Sequence, residues 1–121
     1  MGNGMGNPDF FSSEIQKLQR IFRVQLGASL PEMRLAWRAF RDDPSLAHAN
    51  VMIAFVHRLA GSAGMIGFGD LGERAAAIEI AIRSVSAGAT IPEDLPREVS
   101  GFFSMIAELT AGCNPSGDAQ P

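Results

Sequence analysis

His57 is the side chain with the clearest means to do chemistry, because an imidazole can attack an electrophile, move a proton or hold a metal near neutral pH. The chain has one other histidine, His48, and a single cysteine, Cys113. At about 100° of helical rotation per residue, His48 and His57 point roughly 180° apart, so they cannot chelate one ion and no metal site is expected. Cys113 alone can form neither an internal disulfide nor a thiolate cluster. A hydrolase reading needs Ser62 as nucleophile and His57 as its base, yet Ser62 falls toward the apolar side of its helix and no third group is evident. Gly61-Ser62-Ala63-Gly64 lacks the GxxxxGK[ST] pattern and the preceding strand of a phosphate loop. Among the readings left open is His57 acting as a nucleophile on its own.

The neighbours of His57 favour that role. The apolar stripe of its helix is Met52, Phe55, Val56, Leu59, Ala63 and Ile66, and His57 points roughly 150° away from it. Asn50, Ile53, Ala54, Gly61 and Gly64 are placed on the same outward face, nearly all of them small. Glycine in a helix interior costs about 1 kcal/mol relative to alanine, so two of them just beyond His57 call for a reason. Close approach of another surface is one. The bland alternatives are a solvated surface histidine, and glycines that mark fraying or tight helix packing.

The elements that position this face all read as helix. There is no tyrosine, no run of β-branched residues and no hairpin turn signal. Ile15, Leu18, Phe22, Leu26, Leu30, Met33, Trp37 and Phe40 recur at spacings of three and four and run straight through Pro31, which fits one bent helix better than two broken near Gly27 to Leu30. Asp43-Pro44-Ser45 supplies a stop, with Ser45 or Asp43 able to cap a second helix over about 46–66. After Gly67-Phe68-Gly69-Asp70, the pair Asp70 and Glu73 has the form of a capping box for a third helix with the stripe Leu71, Ala75, Ile78, Ile82 and Val85. Glu79 and Arg83 sit outward there as an i,i+4 pair serving solvation, and Ser86-Ala87-Gly88 marks the helix end. Leu95, Val99, Phe102, Ile106 and Leu109 form the last stripe, with Pro96 tolerated in its first turn. Short connections between amphipathic helices predict an all-α, antiparallel up-down-up-down four-helix bundle over residues 11–112 with an N-terminal helical extension, flanked by disordered segments at 1–10 and 113–121.

Composition bounds the partners. A chain of 121 residues with 46% hydrophobic and 19% charged residues and a mean hydropathy of +0.10 is one globular domain with a proper core. No apolar stretch is expected to reach the roughly 20 residues of a membrane span, and Met1 to Pro8 lacks a leader pattern, so a cytoplasmic protein is expected. The formal net charge of −3, with no block of lysines or arginines, argues against nucleic acid as the partner.

The string His57-Arg58-Leu59-Ala60-Gly61-Ser62-Ala63-Gly64-Met65-Ile66-Gly67-Phe68 resembles the phosphorylation motif of histidine phosphotransfer (HPt) domains, H-x-L-K-G-[SA]-[SA]-x-x-x-G. His57, Leu59, Gly61, Ser62, Ala63 and Gly67 match, and the likeness extends over about residues 12–110. Ala60 stands where the family usually has lysine. The resemblance implies a carrier, with no ATP-binding or kinase domain, that accepts a phosphoryl group on His57 from a receiver-domain aspartate and passes it to another response regulator. It implies no cofactor of its own, with Mg²⁺ and a lysine supplied by the receiver, and a sensor histidine kinase of the hybrid type upstream. Asn50, Ile53, Ala54, Arg58, Ala60, Gly61, Gly64 and Phe68 become the receiver-docking candidates, with Ile53 and Phe68 as apolar rim and Arg58 as a stand-in for the missing cation. A closed bundle with polar outer faces predicts a monomer. Two alternatives stay open: a non-phosphorylated HPt-like adaptor that inhibits a receiver or kinase, for which Ala60 is the hint, and a kinase phosphoacceptor hairpin, which would have an acidic residue where Arg58 follows His57.

Overall fold

The computed structural model describes residues 8–85 and 90–112, and among them every regular element is helical. The helices are α1 (Pro8–Asp42), α2 (Leu46–Ala63), α3 (Gly69–Val85) and α4 (Asp94–Leu109), with a short 3₁₀ turn, Gly64–Ile66, between α2 and α3. α1 runs unbroken through Pro31. It begins at Pro8, so residues 8–10 of the segment expected to be disordered are helical. Residues 1–7, the Ser86-Ala87-Gly88 helix end, Cys113 and the rest of the C-terminal tail lie outside the described residues.

Each helix packs on its neighbours in the ring α1, α2, α3, α4 and back to α1. Contacts fall in opposite order between α2 and α3 and between α1 and α4. His57 of α2 meets Glu79 of α3, while Gly64 beyond it lies against Gly72; Gly27 of α1 faces Thr110 and Arg34 faces Phe103. The core within the ring is one cluster with Met33, Phe40, Met52, Ile78, Phe102 and Ile106 at its centre. Phe103 joins it although the sequence stripe omits it, because α4 turns two faces inward, one to α1 and one to α3.

Three expectations change. Ile15 and Leu18 are about half exposed, because α1 overhangs the bundle: Gln19 already meets Ile66 in the 3₁₀ turn beyond α2, its Nε2 donating to the Ile66 carbonyl at 2.7 Å. The start of α3 is not a capping box. The helix begins at Gly69, so Asp70 lies in its first turn, where a carboxylate favours the positive end of the dipole, and among the described residues neither Asp70 nor Glu73 makes a capping hydrogen bond. Finally, 46–66 has a mean hydropathy of 1.2 over 21 residues, long and apolar enough by composition to cross a membrane. Its valines, isoleucines and leucines raise that average, and its Ala49, Met52, Val56 and Leu59 are spent in the core.

Local signals elsewhere act as read. Ser45 caps α2, its hydroxyl accepting from the His48 amide at 3.2 Å. Gly67 adopts φ +97° and ends the 3₁₀ turn in the left-handed region that glycine enters without strain. Gly72 is the closest approach of α3 to α2: a Cβ there would stand 3.4 Å from both the Ala60 carbonyl oxygen and the Gly64 nitrogen. Gly72→Leu is expected to destabilise the bundle by about 1–3 kcal/mol by prising the two helices apart, a loss that urea denaturation would measure directly.

Candidate functional site

α2 carries its functional face because its apolar residues leave one arc free. The imidazole of His57 stands on that arc, 72% exposed. Ala54, Gly61 and Gly64 are exposed around it, and Asn50 lies further along the same face. A Cβ added at Gly61 or Gly64 would meet nothing within 4 Å. The glycines are therefore not demanded by packing within this chain. Their effect is to keep the surface beside the imidazole low.

The feature that sequence reasoning missed is a carboxylate behind the ring. Both oxygens of Glu79 lie 3.1 Å from His57 Nδ1, and Glu79 Oε2 also accepts from Arg83 Nε at 3.0 Å and Nη2 at 2.8 Å. The Glu79 side chain is only 14% exposed, so the pair read as outward solvation is instead an inward-turned carboxylate clamped between two partners. Partial burial acts to raise its pKa, but the hydrogen bonds from Arg83 and His57, with their charges, hold it below the ordinary glutamate value. Glu79 is thus ionised at neutral pH and can only accept. It follows that Nδ1 carries the proton and that, in the neutral ring, the lone pair is on Nε2, on the side away from α3.

A clue to Glu79 existed. In two helices folded back about Phe68, His57 and Glu79 are equidistant from the turn, eleven residues on either side. Glu79 also neighbours Ala75 and Ile82 on the α3 wheel, at the edge of the stripe rather than opposite it.

The docking candidates divide. Ile53 is buried at 8% and leaves the outward face: α2 packs against both α1 and α3, so its apolar arc is wider than a single seam. Phe68 is half-buried, its ring stacked on Phe22 of α1 at 5.4 Å and 21°, so it closes the end of the bundle instead of forming a free rim. Ala60 is half-buried against the core, beside α3. Arg58 is exposed and lines the groove toward α1 with Phe55 and Ser62. Ser62 donates to the Arg58 carbonyl at 2.9 Å, a bond within its own helix turn and not to His57. The apolar rim is supplied by Val51 and Leu35, 50% and 63% exposed, and half-buried Phe55. They line one groove of about 350 Å³ between α1 and α2, and Phe55 also borders a neighbouring one of about 290 Å³ floored by Phe22, Leu26, Met33 and Leu59. Among the described residues no three of His, Cys, Asp and Glu gather as metal ligands.

The arrangement can present one nucleophilic nitrogen, with its tautomer fixed from behind, to a partner that approaches over a low, partly apolar surface. No curated protein and no solved structure matches the chain. The family model of the Hpt domain matches residues 17–110, the span that holds the bundle, the His57 face and Glu79, and the chain belongs to this family of helical phosphocarrier modules that serve histidine phosphotransfer in two-component phosphorelays.

Proposed function

We propose that His57 is the phosphoacceptor, taking a phosphoryl group from the aspartyl phosphate of one receiver domain and yielding it to the aspartate of another. The observation that carries this reading is the exposed imidazole whose Nδ1–H is held by Glu79, so that Nε2 offers its lone pair to solvent. Nε2 attacks phosphorus, the N–P bond forms, and the P–O bond to the aspartate breaks with its electron pair leaving on the carboxylate. The ring, still protonated at Nδ1, gains positive charge as the bond forms. The Glu79 carboxylate lies against that charge and stabilises it, while Arg83 keeps the carboxylate aimed.

The other half of the site belongs to the partner. A receiver supplies its own Mg²⁺ and lysine to neutralise the transferring group, and positioning does most of the remaining work. The low surface at Ala54, Gly61 and Gly64 admits its active-site loops, and Val51, Phe55 and Leu35 give it apolar footing. A sensor kinase of the hybrid type stands upstream, and the chain acts in the cytoplasm as a monomer.

The direct test is phosphoryl transfer from a radiolabelled receiver to this protein. Label that is acid-labile and alkali-stable is the expected phosphohistidine. Binding of receivers without any label would refute the carrier reading and leave the adaptor. Glu79→Gln preserves the size of the side chain and an oxygen to accept from Nδ1 but removes the charge, and is expected to slow transfer roughly tenfold. The same variant has a signature in stability. Because the folded-state pKa of Glu79 is lowered, the unfolded chain binds the extra proton first. Its contribution is present above the ordinary glutamate pKa and is lost as the pH falls through the lowered one. Wild-type stability should therefore drop more steeply on acidification in that window than that of Glu79→Gln, and chemical denaturation across pH would show it.

A further inference from the structure

On the side of the ring away from His57, α1 and α4 enclose a second groove of about 290 Å³, lined by Arg34, Arg38, Arg41, Ser100, Phe103 and Ser104. The arginines recur at i, i+4 and i+7, which sets one cationic row about 10 Å long along α1. No carboxylate lines the groove, and in a chain of net charge −3 this face has the opposite sign. Among the described residues Arg41 pairs only with Asp42, at 3.9 Å, with both side chains about half exposed or more, a pair worth little in water. Arg34 rests over the Phe103 ring at 5.3 Å, which steadies the guanidinium without neutralising it.

Among the described residues neither Arg34 nor Arg38 has a carboxylate partner, and the hydroxyls of Ser100 and Ser104, one turn apart on α4, make no hydrogen bond to protein. Ser29, Ser62 and Ser84 each donate to the carbonyl four residues back, whereas Ser100 and Ser104, like Ser12 and Ser13 on α1, do not. The groove thus holds charge and hydrogen-bonding capacity that the chain does not itself use.

We infer that this groove is a docking site for an acidic segment of a partner protein, whose carboxylates pair with Arg34, Arg38 and Arg41 and accept from Ser100 and Ser104. Guanidiniums spread along a line suit successive carboxylates, each bound through a planar fork. A single phosphate would call for donors that converge. Phe103 and the neighbouring Trp37 are buried to within 5% and 7% of exposure, so no free ring face invites a nucleobase, and the negative chain as a whole repels a polynucleotide. Because α1 and α4 lie across the ring from α2 and α3, a partner held here leaves His57 open. The chain can then be tethered and still exchange phosphoryl groups.

The experiment is fluorescence anisotropy of the full chain with a labelled helical peptide carrying glutamate at i, i+4 and i+7, beside the same peptide with glutamine, and sedimentation with phosphatidylserine vesicles. The glutamate peptide is expected to bind, to weaken with salt, and to bind roughly tenfold more tightly than the glutamine peptide. Arg34→Glu with Arg38→Glu should cost roughly tenfold or more at unchanged helical circular dichroism, and Arg38→Lys should retain most of the affinity. His57→Gln should leave binding unchanged, which separates this site from the phosphoacceptor. Equal binding of the two peptides, indifference to the double substitution, or no binding of the glutamate peptide overturns the proposal. Vesicle binding lost in the double variant, without peptide binding, overturns it in favour of an anionic membrane.

Discussion

His57→Gln is expected to abolish phosphoryl acceptance completely while leaving the bundle as stable as before, within about 0.5 kcal/mol. The imidazole is 72% exposed and Glu79 is its one bonded partner among the described residues, so little of the fold rests on it. Glutamine has a nitrogen of similar reach but no lone pair free to attack phosphorus, since the amide delocalises it. His48 cannot take over. It sits at the opening turn of α2, where its Nδ1 donates to the Asp43 carbonyl at 2.9 Å, and the variant His48→Gln should transfer normally. The measurement is label on the two variants from the same phosphorylated receiver, with thermal melts alongside. Residual acid-labile label on His57→Gln would place the acceptor elsewhere.

That His57 was legible from sequence and Glu79 was not has a physical cause. Periodicity reports where a residue points relative to its own helix, and for His57 that suffices: its helix buries Met52, Val56 and Leu59 and leaves the opposite arc wet. The four helices and most of their buried residues follow from the same rule, while the cap followed from side-chain type, which offered Ser45 or Asp43 and of which the structure uses Ser45. The partner of His57 depends on how α3 is rotated against α2, which is fixed by the close approach at Gly72 and not by the α3 stripe alone. Glu79 and Arg83 satisfy the surface-pair spacing equally well in both settings, so that spacing carried no sign of the inward turn, and the place of Glu79 at the edge of the α3 stripe was the only local hint of it. Ile53 and Phe68 were misplaced for a related reason. A helix wheel assumes one buried seam, whereas α2 has a neighbour on each flank, and Phe68 belongs to a turn that the wheel does not describe. Ile15 and Leu18 show the converse: the periodic stripe continues past the point where any other helix is present to cover it.

Ala60 sharpens the question of what replaces the usual lysine. A cation at that position would rise from the α2/α3 seam, where Ala60 is half-buried and its carbonyl lies close to Gly72. In this chain the nearby cation enters from the other helix: Arg83 shares the Glu79 carboxylate oxygen with His57. A positive charge is therefore placed beside the His57–Glu79 pair from α3, which ties the electrostatics of the site to the packing of the hairpin.

The second large effect is expected at Gly61, one turn from His57 on the same face. An added Cβ meets nothing within 4 Å, and Gly61 lies within α2, so replacing it removes the entropic penalty of a helical glycine. Gly61→Ala should stabilise the bundle by about 1 kcal/mol and Gly61→Trp by about 0.5 kcal/mol. Transfer should move the other way. Alanine adds one methyl at the edge of the site and should change the rate little. Tryptophan stands beside Nε2 and holds the receiver off in-line geometry, where a displacement of about 1 Å costs roughly a hundredfold. A glycine kept for folding would give the reverse pattern, with stability lost and transfer intact. Urea denaturation and transfer rates on the same two variants separate these cases, because a stabilised protein that transfers a hundredfold more slowly can only have lost its partner's approach.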